Sequence, residues 1–250
     1  MTMQTPASPR ETKPRLGTWL SIGSPVVAEL AAASGFDWLL FDLEHGCGTE
    51  AALLPQLQAI QGAGAAGIVR VGAPHPDLIV RVLDWGAQGI MIPHVNSAAE
   101  AEAVVQAAHY PPRGRRGFSR TVRAYEYGLH APAEGQPLPA PLLMAQIETI
   151  EAVENARAIA QVEGVDVLFV GPADLNFDLK ARPRLAKRAY AECLEQVVAA
   201  AAASGKACGI LLRDAAELPA LRQQGFTWLA VDSDLAILRN GYHKLVGSFR

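Results

Sequence analysis

The fold of this chain is decided by residues 142–176, which read LLMAQIETIEAVENARAIAQVEGVDVLFVGPADLN. Two short apolar runs, at 142–147 and 165–170, have the length and the bounding signals of buried strands. Between them, residues 150–162 carry apolar side chains at helical spacing, which predicts one amphipathic helix. Strand, helix and strand in this order form the unit from which parallel sheets are built.

The same unit recurs along the rest of the chain. Eight strand-and-helix pairs follow one another at intervals of roughly 20–40 residues, which is the pattern of a (β/α)8 barrel. The predicted strands are continuously apolar, as expected of strands covered on both faces. We therefore predict a TIM barrel formed by one domain, residues 16–250, behind a flexible polar tail at 1–15. A doubly wound sheet is the alternative, but it would leave eight strands in an open sheet.

The composition narrows the class of partner. A net charge of −3 over 250 residues gives no reason to expect binding to nucleic acid or to an anionic membrane. The tail lacks the apolar segment of a signal peptide, and no apolar run approaches the ~20 residues that span a bilayer. Three scattered cysteines do not make a disulfide framework, so we expect a reduced, cytoplasmic protein.

Polar residues stand at the ends of the predicted strands. In a TIM barrel, the C-terminal ends of the strands carry the active site. The residues that satisfy this rule are Asp42, Glu44, His45, Arg70, Gln146, Glu148, Gly171, Asp174 and Asp232. Glu148 and Asp174 end neighbouring parallel strands, so they converge on one rim. With waters as further ligands, their oxygens suit a hard divalent cation such as Mg²⁺ or Mn²⁺.

Three of these features have both a functional and a structural interpretation. Arg70 interrupts the apolar run IVRV, so it should be buried with an anionic partner, either a substrate oxygen or a structural carboxylate from Asp42 or Glu148. His45 is either a base near neutral pH or a bystander. The turn Gly171-Pro172-Ala173 either holds an anion with its backbone N–H groups or simply links a strand to a helix.

A long connection at 110–141 is rich in arginine, whereas lysines are scarce. Its arginines are Arg113, Arg115, Arg116, Arg120 and Arg123. They form a solvated face, a subunit contact or an anion-binding lid. None of the five lysines falls at the predicted C-terminal rim, so we expect no Schiff base. Carbanion chemistry here would use a metal ion as the electron sink, with no organic cofactor.

Several segments resemble one known family. They are GTWLSIGSPVVAELAAASGFDWLLFDLEHG, IVRV, LDWGAQGIMIPHV, AQIET and VDVLFVGPADL, and they run in order from Gly17 to Leu175. The chain is similar to the HpcH/HpaI aldolases, the metal-dependent class II pyruvate aldolases. The joint occurrence of LEHG, QIET and GPADL is what makes the resemblance specific, because each of these motifs alone is common.

The resemblance implies a role for each matching residue. Glu148 and Asp174 would bind Mg²⁺, Mn²⁺ or Co²⁺, and Arg70 would hold the keto or enolate oxygen of the substrate. His45 and Asp84 would form an acid–base dyad, although the residues alone place Asp84 on a helix. Contacts to the 2-oxo acid would come from Arg70, Gln146, Gly171, Pro172, Ala173, Asp174 and Leu212, with Asp42 and Glu44 supporting them from behind.

The resemblance also implies a reaction and an assembly. A 4-hydroxy-2-oxo acid would be cleaved reversibly to pyruvate, or hydroxypyruvate, and an aldehyde, through an enolate stabilised by the metal and Arg70. The assembly would be a homohexamer, a trimer of dimers, in which the last helix packs on a neighbouring subunit. This chain departs from the family in NFDLKARPR after GPADL and in RGFSRTVRAYEYG. Both segments are expected near the aldehyde pocket, so the aldehyde, the metal and the C4 stereochemistry stay open.

Two other functions fit the same barrel. The first is a carbon–carbon lyase acting on CoA thioesters, which would resemble the β subunit of citrate lyase and would use the arginine-rich connection for the CoA phosphates. The second is a barrel without catalysis that serves as an assembly subunit. The presence of Glu148, Asp174, Arg70 and His45 together argues against the second.

Overall fold

The computed structural model describes residues 13–250, so most of the predicted tail lies outside the described residues. The eight strands form a closed parallel barrel in sequence order, which confirms the predicted TIM barrel. The strands are β1 (Arg15–Leu20), β2 (Trp38–Asp42), β3 (Ala66–Arg70), β4 (Gly89–Ile92), β5 (Leu142–Ile147), β6 (Val167–Val170), β7 (Ala207–Leu212) and β8 (Trp228–Ser233). Arg15, predicted in the tail, already begins β1.

Helices connect each strand to the next. They are α1 (Pro25–Ala33), α2 (Glu50–Ala59), α3 (Pro76–Asp84), α4 (Ala98–Ala108), α5 (Ile150–Glu154), α6 (Ala156–Gln161), α7 (Pro172–Ala181), α8 (Tyr190–Ala203), α9 (Leu218–Gln224) and α10 (Asp234–Phe249). Proline begins α1, α3 and α7, where its missing N–H costs no hydrogen bond. Ser97 closes a capping box with Glu100 at the start of α4.

Two helices differ from the sequence prediction. The helix predicted over 150–162 is divided at Asn155, whose backbone leaves the helical region and whose side-chain amide donates to the Asn96 carbonyl at 2.7 Å. The alanine-rich pattern at 185–204 predicts a helix, but α8 begins only at Tyr190. Residues 182–189 before it form turns, whereas the first part of the segment that departs from the family lies in α7, which an Asp178–Arg182 ion pair supports across one turn.

Large apolar side chains fill the inside of the barrel. Trp19, Trp38, Phe169 and Trp228 meet there, with ring centroids 5.5 Å apart for Trp19–Phe169 and 5.6 Å for Trp38–Trp228. A second, larger cluster lies between the strands and the helices. Since the interior is packed, the ends of the barrel are the places where polar chemistry is possible.

The last helix projects from the barrel. Of its 16 residues, only Asp234 and Ala236 are buried. Its exposed apolar side chains are Leu235, Ile237, Leu238, Tyr242, Leu245, Val246 and Phe249. An apolar helix face of this size is expected to be covered by a partner.

Within residues 13–250, no helix combines the length and the apolarity that crossing a bilayer would require.

Candidate active site

Strands β2 and β3 bring a buried ion-pair cluster to the C-terminal rim. Arg70 Nε donates to Asp42 Oδ1 at 2.9 Å, and its Nη2 donates to Oδ2 at 2.7 Å, so the fork is bound at two points. Its Nη1 lies 2.9 Å from Glu44 Oε2. Burial alone would lower the pKa of Arg70, but the hydrogen bond and charge of Asp42, with the charges of Glu44 and Glu148, raise it. Arg70 is therefore a permanent cation, and its predicted partner Asp42 is confirmed.

The same aspartate fixes the turn that presents His45. Asp42 Oδ1 accepts hydrogen bonds from the backbone N–H groups of Glu44, at 3.1 Å, and His45, at 3.2 Å. At Gly46 a Cβ atom would lie 2.1 Å from the carbonyl oxygen of Asp42, so only glycine fits. The side chain of His45 is 67% exposed, with Nε2 3.8 Å from Glu44 Oε1. His45 thus stands at the open mouth of the site, where it can exchange protons with a bound ligand.

Glu148, just beyond β5, is the most deeply buried carboxylate of the rim, with 2% of its surface exposed. Gln146 Nε2 donates to its Oε2 at 2.6 Å, and the backbone N–H of His94 donates to Oε1 at 2.7 Å. Burial raises the pKa of Glu148. Contacts with His94 oppose this shift, and the negative charges of Asp174 and Glu44 add to it. Ionised Glu148 consequently lacks sufficient positive charge in its surroundings.

The chain passes tightly over Glu148 as it enters α7. A Cβ atom on Gly171 would lie 2.5 Å from Glu148 Oε2 and 2.9 Å from Gln146 Nε2, so a larger residue here would displace these two side chains. Asp174 lies in the first turn of α7, close enough for its charge to act on Glu148. Pro172, Ala173 and Asp174 therefore form a helix N-terminus at the rim, where backbone N–H groups favour anions.

The donors in this pocket suit a hard divalent cation. Glu148 and Asp174 supply carboxylate oxygens, and the hydrogen-bond partners of Glu148 are an amide and a histidine rather than a permanent cation. In the described part of the chain, no three or more His, Cys, Asp or Glu side chains are grouped as a ready-made metal site. A metal ion here would therefore have two protein ligands, with water and substrate oxygens completing its shell.

His94 belongs to this site, although sequence reasoning did not select it. Its Nδ1 lies 3.1 Å from Glu148 Oε1, and its Nε2 lies 3.8 Å from Glu44 Oε1. Its backbone adopts φ +52°, a conformation rare for residues other than glycine. His94 follows β4 by two residues, so the strand-end rule that selected the other residues could also have found it.

Asp84 lies at the other end of the barrel from His45. It is the last residue of α3, which runs antiparallel to the strands, and its Oδ1 accepts from Arg116 Nη2 at 2.6 Å. The Arg116 guanidinium also stacks over the ring of Tyr110, 4.5 Å from its centroid. His45 and Asp84 of one chain therefore do not meet, because they occupy opposite ends of the barrel, and the dyad that the resemblance implies stays a prediction.

Leu212 and the arginine-rich connection also differ from the prediction. Side chains alternate along β7, and Leu211 faces the barrel interior, so Leu212 packs in the outer core and does not face the site. The connection follows α4 and lies at the N-terminal end of the strands, where Arg123 donates to the carbonyls of Trp85 and Leu57. The connection therefore does not form a lid over the C-terminal rim, because it lies at the other end of the strands, where Arg116 and Arg123 contact α2 and α3.

The chain is similar to known proteins over nearly its whole length. Residues 15–241 match the model of the HpcH/HpaI aldolase/citrate lyase family. A 5-keto-4-deoxy-D-glucarate aldolase of Salmonella arizonae is 36% identical over 236 residues, 94% of this chain and 92% of that protein.

Solved structures agree with this match. A crystal structure of an HpcH/HpaI aldolase/citrate lyase family protein from Burkholderia cenocepacia superposes with a TM-score of 0.88 at 32% identity, covering 97% of each chain. The citrate lyase β subunit of M. tuberculosis, solved with oxaloacetate and magnesium, has a TM-score of 0.55 at 19% identity over 90% of this chain and 93% of that chain, which shows the fold alone. The chain belongs to the HpcH/HpaI aldolase/citrate lyase family.

Proposed function

We propose that this protein is a divalent-metal-dependent aldolase that reversibly cleaves a 4-hydroxy-2-oxo acid to pyruvate, or hydroxypyruvate, and an aldehyde. The observation that carries the proposal is the deeply buried Glu148 with Asp174 close by: burial raises the pKa of Glu148, and the negative charge of Asp174 adds to the shift. Such a pair requires a cation to be stable in its ionised form. A bound Mg²⁺, Mn²⁺ or Co²⁺ would supply the positive charge that makes a 2-oxo acid easier to enolise.

The other residues position the substrate and move protons. Arg70 is held by Asp42 with its Nη1 side toward Glu44, so its charge stabilises an enolate oxygen formed at the rim. Gln146 Oε1 is buried and has no hydrogen-bond partner within the described residues, which leaves Gln146 able to accept from a ligand or to turn its amide. The first turn of α7 binds the substrate carboxylate. His45 exchanges the proton of the C4 hydroxyl.

The aldehyde product follows from the substrate class of the relatives. The substrate named for the Salmonella arizonae protein, 5-keto-4-deoxy-D-glucarate, carries a carboxylate at each end. Aldol cleavage of such a molecule gives pyruvate, which keeps one carboxylate, and the three-carbon aldehyde tartronate semialdehyde, which keeps the other. We propose an aldehyde of this acidic class as the acceptor in the reverse reaction.

We further propose that the protein is a homo-oligomer, a hexamer built as a trimer of dimers. The exposed apolar face of α10 supports this, because burial of such a face on a second copy is favourable. Since His45 and Asp84 lie at opposite ends of one barrel, the dyad implied by the family can form only between two copies of the chain. Asp84 keeps part of its surface exposed for such a contact.

The CoA-thioester alternative loses its main support in the structure. Its phosphate-binding candidates were the arginines of the 110–141 connection. Arg116 is buried against Asp84 and Tyr110, and Arg123 is bound to backbone carbonyls, both at the end of the barrel away from Glu148. The two arginines of the connection with buried partners are thus already paired, and the connection lies away from the rim.

Exchange of the C3 protons of pyruvate into D₂O, followed by NMR, tests the proposed function. After chelation we expect no exchange, and we expect exchange to return with Mg²⁺, Mn²⁺ or Co²⁺, because enolisation needs the added positive charge. Exchange that continues at full rate in chelator would contradict metal dependence. Failure of pyruvate and hydroxypyruvate to exchange with every metal, with an aldehyde present, would contradict the aldolase assignment.

A further inference from the structure

A second ion pair lies at the C-terminal rim, formed by Arg213 and Asp232. Arg213 Nη1 donates to Asp232 Oδ1 at 3.2 Å. Asp232 has φ +56°, a conformation that an aspartate adopts only at a cost. Its Oδ1 also accepts from the backbone N–H of Ser233 at 3.0 Å, so the strained residue is fixed in place. A strained residue at a rim is a reason to look for a function.

Strand alternation directs both residues toward the mouth of the barrel. On β7 the inward residues are Ala207 and Leu211, so the next inward position is Arg213. On β8 the inward residues are Trp228 and Ala230, and Asp232, where the backbone departs from the strand conformation, is placed beside Arg213 by the hydrogen bond between them. Asp42 and Arg70 follow the same rule at the ends of β2 and β3. The Arg213–Asp232 pair therefore occupies the same polar layer as the candidate active site.

In the ring of eight strands, β7 lies opposite β3 and β8 lies opposite β4. Arg213 thus faces Arg70 across the mouth rather than joining its cluster. Because Asp174 follows β6 and β7 is the next strand in the ring, a ligand held between Arg70 and the Glu148–Asp174 pair would extend along the rim toward Arg213.

The two rim arginines differ in how much of their charge is neutralised. Arg70 is buried between two carboxylates, Asp42 and Glu44. Arg213 is 63% exposed, and among the described residues its contact is one hydrogen bond to Asp232. A guanidinium has five N–H donors, so most of those on Arg213 face the solvent of the mouth.

We propose that Arg213, held over the mouth by Asp232, binds the carboxylate of the acceptor aldehyde and so determines the acceptor specificity. The inference rests on the proposed aldolase function. The rim carries the carboxylates of Asp42, Glu44, Glu148 and Asp174, which repel an acidic aldehyde. A half-neutralised guanidinium on the far side offsets this repulsion and offers the fork that fits a carboxylate.

The test compares two aldehydes that differ only at their far end. Tartronate semialdehyde ends in a carboxylate and D-glyceraldehyde in a hydroxymethyl group. The ratio of kcat/KM for these acceptors, with pyruvate as donor, is measured for the wild type, Arg213→Gln and Arg213→Lys. Arg222→Gln is the matched control, because Arg222 is exposed near the end of α9, at the opposite end of the barrel.

We expect Arg213→Gln to reduce the preference for tartronate semialdehyde by about 10- to 100-fold, the usual value of a charge-assisted hydrogen bond to a carboxylate. The loss should appear mainly in KM, Arg213→Lys should recover part of it, and Arg222→Gln should match the wild type. An unchanged ratio in Arg213→Gln, or an equal loss with both aldehydes, would overturn the role of Arg213. Absence of pyruvate proton exchange in the wild type would instead overturn the proposed function, and this inference with it.

Discussion

Two buried arginine–aspartate pairs lie at opposite ends of this barrel. Arg70 pairs with Asp42 at the C-terminal rim, and Arg116 pairs with Asp84 at the other end. The two arginine residues are almost equally buried, at 6% and 7% exposure. Each also faces an aromatic ring, Trp19 for Arg70 and Tyr110 for Arg116. Taken as isolated pairs, they are chemically alike.

Their surroundings are not alike. Around Arg70 the rim collects four carboxylates, those of Asp42, Glu44, Glu148 and Asp174, so negative charge is in excess. Arg116 and Asp84 balance one to one. Excess buried charge is costly and persists where a ligand compensates it, whereas a balanced pair needs nothing further. The comparison shows that the charge surplus around a buried pair, rather than the pair itself, marks the site.

The largest effect is expected from Glu148→Gln, which removes one of the four negative charges at the C-terminal rim. Turnover should fall by at least about 1,000-fold, or about 4 kcal/mol of transition-state stabilisation, because a metal ligand is lost. Thermal stability of the metal-free protein should hold or rise, since the raised pKa of Glu148 means that folding disfavours its ionised form. The new amide can donate to Gln146 Oε1 once the Gln146 amide turns.

Steady-state kinetics and thermal unfolding in chelator measure the two effects. Glu163→Gln is the matched control, because Glu163 is an exposed carboxylate paired with Arg113 outside the rim. It should leave turnover as in the wild type. If Glu148→Gln kept substantial turnover, or destabilised the metal-free protein strongly, Glu148 would be a structural carboxylate and the charge-surplus argument would fail.

Many residues of the rim could be predicted from the sequence, because local runs of apolar residues define where each strand of a parallel barrel ends. The apolar runs ending at Asp42, Arg70 and Ile147 fix both the strand and the end at which the polar residue emerges. Asp42 was one of two carboxylates predicted as a structural partner of Arg70, and the structure selects it because β2 and β3 are neighbours in register. Confirmed features are thus those that depend on strand order and strand ends.

Features that depend on side-chain direction or on helix ends were harder to predict. Leu212 was expected in the site. Because side chains alternate along β7, it points to the outer core instead, whereas its neighbour Leu211 points inward. His94 and Asp232 adopt positive φ without being glycine, which no sequence pattern announces. Asp84 sits at a helix C-terminus, and its distance from His45 follows from the direction of α3 rather than from any motif.

The second prediction concerns His45 and Asp84, which lie at opposite ends of the barrel, and is tested by mixing subunits that carry different substitutions. We expect His45→Ala and Asp84→Ala each to lower kcat by about 100- to 10,000-fold, the usual range for a lost acid–base group. A dyad formed between copies, as proposed, predicts that mixing the two inactive proteins after dissociation creates mixed interfaces with one intact dyad. Random pairing of subunits would restore activity to about a quarter of the sites.

Activity of the mixture and native mass spectrometry provide the readouts. Each variant dissociated and reassembled with itself is the control, and it should stay inactive. A mixture that contains mixed oligomers yet stays inactive would show that His45 and Asp84 do not act as a pair between subunits. The Arg116–Asp84 pair would then be purely structural, which would strengthen the contrast with Arg70.

The smallest effect is expected from Arg116→Lys, and Arg70→Lys is its matched counterpart. Lysine keeps the charge opposite Asp84 but loses the planar stacking on Tyr110, which should cost about 1–2 kcal/mol of unfolding free energy. Turnover should fall less than tenfold, because Asp84 keeps a cationic partner. Arg70→Lys loses a two-point bond to Asp42 in a site with surplus negative charge, so its turnover should fall far more than that of Arg116→Lys. Equal losses of turnover in the two variants would mean that the pair chemistry, not the charge around it, sets the role of each arginine.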